Sequence, residues 1–310
     1  MTQVIAAETR PPTSAVGRMP DFLVIGAAKA GTTTLWQYLA AQPGVFMARP
    51  KEPEYFAGHY GRDERWYRSL FAAAAAEQVC GEASTNYSCG TPGVDLDIIV
   101  DRIGRDLPGA RLIYLVRHPV DRAYSFYCEQ IKCDQIAGRR QGYGLTFEQY
   151  LREDGRCVLG GCYMRIIERY LASFPRESLL VLTLEELQDR PAETLTRVCR
   201  HIGVDDAVLP NEPLVANAAR RWRRTVARQA ALAPLRRLPI IGGLGARLPR
   251  PMRNAIYACV RHSPRARAAE RQAVPPPMRP ETRAQLLDDY RQPNERLARW
   301  LGRDLSHWML

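Results

Sequence analysis

The chain has 310 residues, of which 46% are hydrophobic and 25% are charged, a composition typical of a globular protein with one large domain or two small ones. It contains no apolar run approaching the roughly 18 residues of a membrane span, so the sequence excludes a transmembrane helix. The formal net charge of +11 favours an anionic partner, without deciding among nucleic acid, an acidic membrane surface and a small anionic ligand.

The N-terminal residues 1–19 are polar, contain Pro11 and Pro12, and are predicted to form a flexible tail. They do not combine a basic segment with an apolar one, as a secretory signal does. The eight cysteines of the chain include no C-x-x-C pair, which indicates buried thiols in a reducing compartment rather than a disulfide framework. We therefore expect a cytoplasmic protein in which residues 20–310 form a single domain.

A strand, a glycine loop and a helix are predicted next. The apolar run from Phe22 to Ile25 favours a strand, Gly26 a turn, and Thr32 to Thr34 the start of a helix. A nucleoside-triphosphate P-loop has the pattern G-x-x-x-x-G-K-[ST], but here Lys29 precedes the second glycine. The N-terminus of a helix binds anions through its unpaired N–H groups and its dipole, so the sequence predicts a phosphate site. Its predicted members are Lys29, Ala30, Gly31, Thr32, Thr33 and Thr34.

The motif RPKEPEYF, residues 49–56, is predicted as a turn-rich segment and supplies a second lysine, Lys51. Only three of the 44 basic residues are lysines, and a retained lysine indicates a need for a compact ammonium group. The alternative is a purely structural turn held by its aromatic residues. Helical periodicity follows at residues 65–76.

Residues 79–87, VCGEASTNY, predict a short strand that breaks into a loop and carries Glu82. A single glutamate is most often a solvated surface residue. At a strand end beside the phosphate loop, however, apolar surroundings would raise the pKa of Glu82 and suit it to act as a general base.

A third motif follows a predicted helix at residues 97–105. The run RLIYLV, residues 111–116, is typical of a buried parallel strand, and it ends at Arg117. A helix is predicted to begin at Pro119 and to carry Ser125. An arginine fork and a hydroxyl close together suit a terminal phosphate monoester, whereas the alternative is an ordinary salt bridge to a surface acid.

The remaining predicted elements complete an α/β pattern. Two helices, a strand and a closing helix are predicted at residues 162–174, 191–202, 179–184 and 281–310. Strands that alternate with helices predict a P-loop-NTPase-like fold, a mostly parallel sheet flanked by helices on both faces. Ligands bind such sheets at the carboxyl ends of the strands, where the motifs around Lys29, Glu82 and Arg117 all fall.

Arginines are concentrated between about residues 217 and 280, where acidic residues are almost absent. This region is predicted to be a lid over the cleft that binds the ligand, a surface that gathers anionic ligands, or a peripheral membrane contact. The alternative is a solvated basic face with a buried apolar seam.

On the residues alone, two functions stay open, a kinase and a nucleic-acid-binding protein. A P-loop-type ATP-dependent kinase would place an acidic metal ligand at the end of a neighbouring strand, where this chain has Arg117; Glu185 is the remaining acid in such a position. An activity that depends on Mg²⁺ would distinguish the kinase from the alternatives. A basic nucleic-acid-binding protein is less favoured, because only Trp222 and Tyr257 are interleaved with the arginines.

Four motifs, in this order, resemble the signatures of PAPS-dependent sulfotransferases: KAGTTTL, KEPEYF, GEASTNY and LIYLVRHPVDRAYSFY. The resemblance is to the branch that includes heparan-sulfate-type and bacterial carbohydrate enzymes, and it covers most of residues 21–310. It departs from the glycosaminoglycan enzymes late in the chain, where no basic K-G-R loop is found.

The resemblance implies that PAPS (3′-phosphoadenylyl sulfate) is the co-substrate and that no metal is required. The loop from Lys29 to Thr34 would bind the 5′-phosphosulfate, with Lys29 beside the bridging oxygen on which negative charge develops. Arg117 and Ser125 would bind the 3′-phosphate, and Tyr163 would contact the nucleotide.

The resemblance also implies a reaction, the in-line transfer of a sulfuryl group to a hydroxyl or an amine. Glu82 would be the general base that deprotonates the acceptor, and Lys51 would lie near the sulfuryl group or the acceptor. The acceptor would be a carbohydrate, a glycolipid or another small metabolite, and no nucleic acid partner is expected. A degenerate relative that binds nucleotide without reacting is disfavoured, because both Lys29 and Glu82 are present.

Overall fold

The structure is a computed structural model that describes residues 17–137, 145–204, 208, 264 and 275–310. The predicted tail up to residue 16 and most of the arginine-rich region at 217–280 lie outside these residues. None of the described helices combines the length and the apolar composition that a membrane crossing requires.

The chain divides into two compact units. The larger comprises Glu8–Tyr127, Glu148–Val215 and Met278–Leu310. The smaller comprises Met1–Ala7, Cys128–Phe147 and Ala216–Pro277. The candidate site described below lies in the larger unit, and the smaller unit falls mostly outside the described residues. The assignment of residues 20–310 to a single domain stays a prediction.

A parallel sheet forms the centre of the larger unit. Its described strands are β1 (Phe22–Gly26), β2 (Val45–Met47), β3 (Val79–Ala83), β4 (Arg111–Val116) and β5 (Leu179–Thr183). They lie in the order β2-β3-β1-β4-β5, and every neighbouring pair is parallel. In the register of the sheet, Leu23 of β1 pairs with Glu82 of β3 and with Leu112 of β4. The predicted α/β fold with a mostly parallel sheet is confirmed.

Both faces of the sheet are covered. Every side chain from Phe22 to Ile25 and from Leu112 to Val116 is fully buried. Because successive side chains of a strand point to opposite faces, two such runs can be buried only between two layers. Continuous apolar runs of this kind are typical of parallel strands, and here they confirm the strands predicted from FLVI and RLIYLV.

Helices connect the strands and account for most of the remaining described residues. They are α1 (Thr32–Ala40), α2 (Glu64–Ser69), α3 (Leu96–Asp106), α4 (Pro119–Ala137), α5 (Phe147–Glu153), α6 (Arg156–Leu159), α7 (Tyr163–Leu171), α8 (Leu184–Asp189), α9 (Pro191–Ile202) and α10 (Pro280–Leu301). Short 3₁₀ helices lie at Thr85–Ser88, Arg176–Ser178 and Ser306–Met309. The helices predicted at residues 97–105 and 191–202 are confirmed, and the helix predicted at residues 162–174 is present over Tyr163–Leu171.

Two helices end earlier than predicted. The helix predicted to reach residue 76 ends at Ser69, since Tyr67 and Phe71 are buried but the alanines that follow offer little apolar surface to bury. The closing helix ends at Leu301 rather than at residue 310, because Gly302 has a φ of 62° and terminates it.

Three connections leave the sheet at the carboxyl ends of neighbouring strands. The loop that leads to α1 follows β1, Ser84 follows β3, and Arg117 follows β4. Since β1 lies between β3 and β4, the three segments leave the same edge side by side. This is the edge at which such sheets bind ligands.

Candidate functional site

The loop between β1 and α1 presents backbone N–H groups at the start of a helix. The first backbone hydrogen bond within α1 runs from Leu35 N–H to the carbonyl oxygen of Gly31, at 3.1 Å. The N–H groups of residues 31–34 therefore have no acceptor inside the helix. The first turn of α1 holds no acidic residue, and no side chain caps it. This helix N-terminus can accept an anion, as the sequence predicts.

Two residues of the loop have a left-handed backbone. Gly31 has a φ of 95°, which strains any residue with a side chain, and a Cβ built there would lie 2.6 Å from Cδ1 of Leu184, so a larger residue also requires Leu184 to shift. Lys29 has a φ of 71°, which costs a residue with a side chain about 1–2 kcal/mol. Backbone strain of this kind clusters at ligand sites, and here it coincides with the predicted site.

The predicted donors of the loop differ in accessibility. Thr33 is exposed, Thr34 is half-buried and Thr32 is buried. Ala30 is buried, and its N–H already donates to the carbonyl oxygen of Ala27 at 3.1 Å. A bound anion therefore meets the N–H groups and hydroxyls of the threonines more directly than it meets Ala30.

Arg117 is joined to this loop by a hydrogen bond. Its Nη1 donates to the main-chain carbonyl oxygen of Lys29 at 3.2 Å, so the guanidinium of Arg117 lies against the loop that carries Lys29. The hydroxyl of Tyr163, the first residue of α7, donates to the carbonyl oxygen of Arg117 at 2.6 Å. Burial raises the pKa of Tyr163 to about 12, so this hydroxyl keeps its proton at neutral pH. The structure thus brings together Lys29, Arg117 and Tyr163.

The C-terminal residues support this corner of the site. Trp308 is completely buried, and its ring centroid lies 6.0 Å from that of Tyr163 and 6.4 Å from that of His118. Burial lowers the pKa of His118, which favours the neutral imidazole. Residues far apart in the sequence therefore pack around the turn that carries Arg117.

Ser125 lies on α4 and is half-buried. Within the described residues its hydroxyl forms no hydrogen bond, either to Arg117 or to another group. Its pairing with Arg117 around a phosphate stays a prediction.

Glu82 is completely buried in β3, next to β1. Its Oε1 accepts hydrogen bonds from the hydroxyls of Tyr87 and Tyr67, at 2.6 Å and 3.1 Å, and its Oε2 accepts one from Ser84 at 2.7 Å. Burial raises the pKa of Glu82 to about 7, although these three donors and the charge of Lys51 oppose the shift. The predicted apolar surroundings are present, since Tyr67 stacks on Tyr55 with ring centroids 4.2 Å apart.

The segment Lys51–Phe56 lies along the carboxyl end of β3. The N–H of Glu52 donates to the carbonyl oxygen of Ala83, at 3.1 Å. Ala83 pairs with Val24, two residues before the end of β1. The backbone of Glu52 therefore lies at the end of the strand next to β1, on the edge of the sheet where the predicted phosphate loop begins.

Glu52 is a candidate that the sequence analysis missed. Its carboxylate is in contact with the ammonium of Lys51, and its side chain is 39% exposed, against 16% for that of Lys51. The available signal was the lysine–glutamate pair in KEPEYF, but a sequence does not tell which of two nearby carboxylates is buried. Of the two, Glu52 is the one that a dissolved acceptor can reach.

Glu185, the acid considered for a kinase, lies in the first turn of α8. Its Oε2 is buried and has no hydrogen-bond donor among the described residues. The preceding residue, Leu184, approaches Gly31, so Glu185 is next in sequence to a residue that lies against the loop. Groups of three His, Cys, Asp or Glu side chains suited to a metal ion are absent from the described part of the chain.

Comparisons with known proteins agree on one family. Residues 106–220 match the family model described as "Sulfotransferase domain". The chain is 30% identical over 206 residues to the mouse protein "Bifunctional heparan sulfate N-deacetylase/N-sulfotransferase 1", an alignment that covers 62% of this chain and 23% of that protein. It is 27% identical over 206 residues to "Bifunctional heparan sulfate N-deacetylase/N-sulfotransferase 2" of Bos taurus, an alignment that covers 60% of this chain and 22% of that protein. The chain thus spans about a quarter of the length of these curated relatives.

A solved structure shares the fold. The crystal structure of a sulfotransferase from Alicyclobacillus acidocaldarius superposes with a TM-score of 0.63 and covers 94% of this chain and 100% of that chain. The two sequences are 21% identical, so this likeness bears on the fold alone.

Proposed function

We propose that the chain is a sulfotransferase, which transfers a sulfuryl group from PAPS to a hydroxyl or an amine of an acceptor; the matching family model and the named relatives support this. The observation that carries the proposal is the hydrogen bond from Arg117 to the main-chain carbonyl oxygen of Lys29, 3.2 Å long, which joins the segments that follow two neighbouring strands and that each carry a cationic residue. PAPS has two separate anionic groups, a 5′-phosphosulfate and a 3′-phosphate. Two cationic positions suit these groups better than they suit one continuous triphosphate.

In this proposal the loop binds the 5′-phosphosulfate. The N–H groups and hydroxyls at the start of α1 hold its oxygens, and the ammonium of Lys29 stabilises the negative charge that develops on the bridging oxygen as the S–O bond breaks. Arg117 binds the 3′-phosphate as a guanidinium fork, with Ser125 as a second donor. Tyr163 holds the backbone of Arg117 in place.

We assign the general base to Glu52 in place of Glu82. Both oxygens of Glu82 are already occupied by hydroxyl donors, and its side chain is completely buried. Glu52 is partly exposed on the same edge of the sheet, beside Lys51. A base must lie within hydrogen-bond reach of the proton that it removes, and of these two carboxylates Glu52 meets that condition for an acceptor that arrives from solvent.

The proposed step is a single displacement at sulfur. The acceptor oxygen or nitrogen forms a bond to sulfur while the bond from sulfur to the bridging oxygen breaks, and the acceptor proton passes to Glu52. The products are the sulfated acceptor and PAP, the desulfated nucleotide. Lys51 lies beside Glu52, where its charge can also attract the sulfuryl oxygens.

We propose a carbohydrate, a glycolipid or another small metabolite as the acceptor. The named relatives are heparan sulfate N-sulfotransferases, which supports a carbohydrate. The net charge of +11 supports an acceptor that is itself anionic.

Calorimetric binding of PAP in the presence of EDTA tests the donor site. Lys29→Ala and Arg117→Ala are each expected to weaken binding by roughly 10- to 100-fold, the effect of losing a hydrogen bond to a charged group. Arg111→Ala is the matched control, because Arg111 is exposed and lies at the amino end of β4, whereas Arg117 follows the carboxyl end of that strand. It is expected to leave the dissociation constant unchanged within about twofold.

Two results would overturn the proposal. The first is the absence of PAP binding to the unmodified chain. The second is Mg²⁺-dependent binding of ATP that Glu185→Gln abolishes, which would instead place a metal-dependent kinase first. A Glu52→Gln variant that keeps its turnover number with PAPS would overturn the assignment of the base alone.

A further inference from the structure

Glu82 is connected to the segment Lys51–Phe56 through two hydroxyl groups. We propose that Glu82 is a positioning residue, which orients the hydroxyls of Ser84 and Tyr87 so that their oxygens hold the segment carrying Lys51 and Glu52. This inference rests on the proposed function for its consequence in catalysis, but its structural content can be tested independently.

The first connection passes through Ser84. Its hydroxyl donates to Oε2 of Glu82 at 2.7 Å, and its oxygen accepts the N–H of Glu54 at 3.0 Å. A hydroxyl has one proton and two lone pairs. When the carboxylate takes the proton, a lone pair is left to accept the backbone N–H.

The second connection passes through Tyr87 and has the same form. Its hydroxyl donates to Oε1 of Glu82 at 2.6 Å and accepts the N–H of Phe56 at 3.3 Å. An ionised carboxylate only accepts hydrogen bonds, so it directs both hydroxyl protons inward. The oxygens of the two hydroxyls can then accept the N–H groups of Glu54 and Phe56, which are two residues apart in the segment.

The segment needs such support because its backbone is strained. Glu52 and Glu54 have φ values of 64° and 52°, in the left-handed region that residues with side chains rarely adopt. They flank Pro53, whose own φ is restricted by its ring. Three hydrogen bonds, from the N–H groups of residues 52, 54 and 56, tie this conformation to the end of β3, and Glu82 supports two of them.

Tyr67 provides a contrast within the same network. Its hydroxyl donates to Oε1 of Glu82 at 3.1 Å, but within the described residues it accepts no N–H from the segment. Tyr67→Phe therefore removes a donor to the carboxylate without removing a contact to the segment. This makes it the matched control for Tyr87→Phe.

The tyrosines around Glu82 keep their protons near neutral pH. Burial raises the pKa of Tyr67 in α2, of Tyr87 in the 3₁₀ helix Thr85–Ser88 and of Tyr170 in α7, so all three side chains stay neutral. Lys51 supplies the positive charge nearby. A change in this network between pH 6 and pH 8 would therefore report on Glu82 itself.

Hydrogen exchange resolved at single amides tests the connections directly. Ser84→Ala is expected to speed exchange of the Glu54 amide at least tenfold, and Tyr87→Phe that of the Phe56 amide. Glu82→Gln offers one acceptor oxygen instead of two, so at least one of these amides is expected to exchange tenfold faster. The Glu52 amide, bonded to a backbone carbonyl, is the internal reference and is expected to change less than threefold, as are all three amides in Tyr67→Phe.

The inference is overturned if both amides keep their native exchange rates in Glu82→Gln, or if Ser84→Ala and Tyr87→Phe accelerate all three amides equally. The second result would indicate a general loss of stability, which thermal unfolding of each variant measures separately. These readouts need neither nucleotide nor acceptor, so they decide the inference even if the unmodified chain turns over no PAPS.

Kinetics then test the catalytic consequence. Ser84→Ala, Tyr87→Phe and Glu82→Gln are expected to lower kcat with PAPS at least tenfold while the dissociation constant of PAP changes less than twofold. A base at Glu82 would give a different pattern, in which Glu82→Gln abolishes turnover while Ser84→Ala and Tyr87→Phe keep native kcat. That pattern would refute the positioning role.

Discussion

Replacing Glu82 with glutamine removes a carboxyl group whose ionisation in the folded protein is opposed by burial. Burial raises the pKa of this group from 4.5 to about 7. Between these values the folded chain holds a proton that the unfolded chain has released. The stabilisation is fully present below pH 4.5 and is lost as the pH rises through 7, and between pH 5 and pH 8 the loss amounts to roughly 2–3 kcal/mol.

Urea unfolding at pH 5, 6, 7 and 8 measures this effect as a difference between two proteins. The free energy of unfolding of the native chain minus that of Glu82→Gln is expected to fall by roughly 2–3 kcal/mol from pH 5 to pH 8. Burial lowers the pKa values of His118 and His201, but both residues titrate in the two proteins alike and cancel. Glu186→Gln is the control, because hydrogen bonds and ion pairs outweigh its partial burial and lower the pKa of Glu186, which stays ionised throughout.

A difference that stays constant from pH 5 to pH 8 would refute the reasoning, since it would mean that Glu82 does not titrate near neutrality. A difference that rises with pH would refute it more strongly, because it would mean that the carboxylate is stabilised by its donors rather than opposed by burial. We also expect stability and activity to change in opposite directions with pH. If the ionised form holds the segment of Lys51 and Glu52, kcat increases over the same pH range in which stability declines.

Three further substitutions probe the nucleotide corner. Gly31→Ala forces a Cβ to within 2.6 Å of Leu184 at a φ of 95°, so we expect PAP binding to weaken more than tenfold by calorimetry; native affinity would mean that the loop is not the anion site. Tyr163→Phe removes a donor to the carbonyl oxygen of Arg117 and is expected to cost about 1 kcal/mol in urea unfolding and to weaken PAP binding severalfold, whereas unchanged affinity would separate Tyr163 from the site. Trp308→Ala is expected to lower the free energy of unfolding by about 3–5 kcal/mol, and a loss below about 1 kcal/mol would contradict its burial.

Local sequence was sufficient where one short segment determines both structure and chemistry. The strand from Phe22, its glycine turn and the helix from Thr32 follow from an apolar run, glycine and threonines that are adjacent in the chain. The placement of Arg117 after β4 follows in the same way. Parallel pairing then brings such segments to one edge of the sheet, which the alternation of strands and helices predicts.

The roles of the two carboxylates could not be read in this way. Glu82 is buried because Tyr67 and Tyr87, from two other elements, close over it, and neither contact leaves a periodic signal in the sequence. The backbone of Glu52 is left-handed although the residue is not glycine, so the sequence contains no signal for the turn at which its side chain is exposed. The strand β2 was missed for a similar reason, since its three residues are too few to establish a pattern.

The packing of Trp308 against Tyr163 has a consequence for the order in which this protein folds. The two residues are 145 positions apart, so their contact closes one of the longest loops in the chain. Contacts between distant residues form late, because the entropy of closing the loop must be overcome first. During synthesis, the sheet can pair while the ribosome still holds α10, but the wall behind Arg117 is completed only after residue 308 has emerged. Nucleotide-binding competence is therefore expected to arise at the last stage of folding.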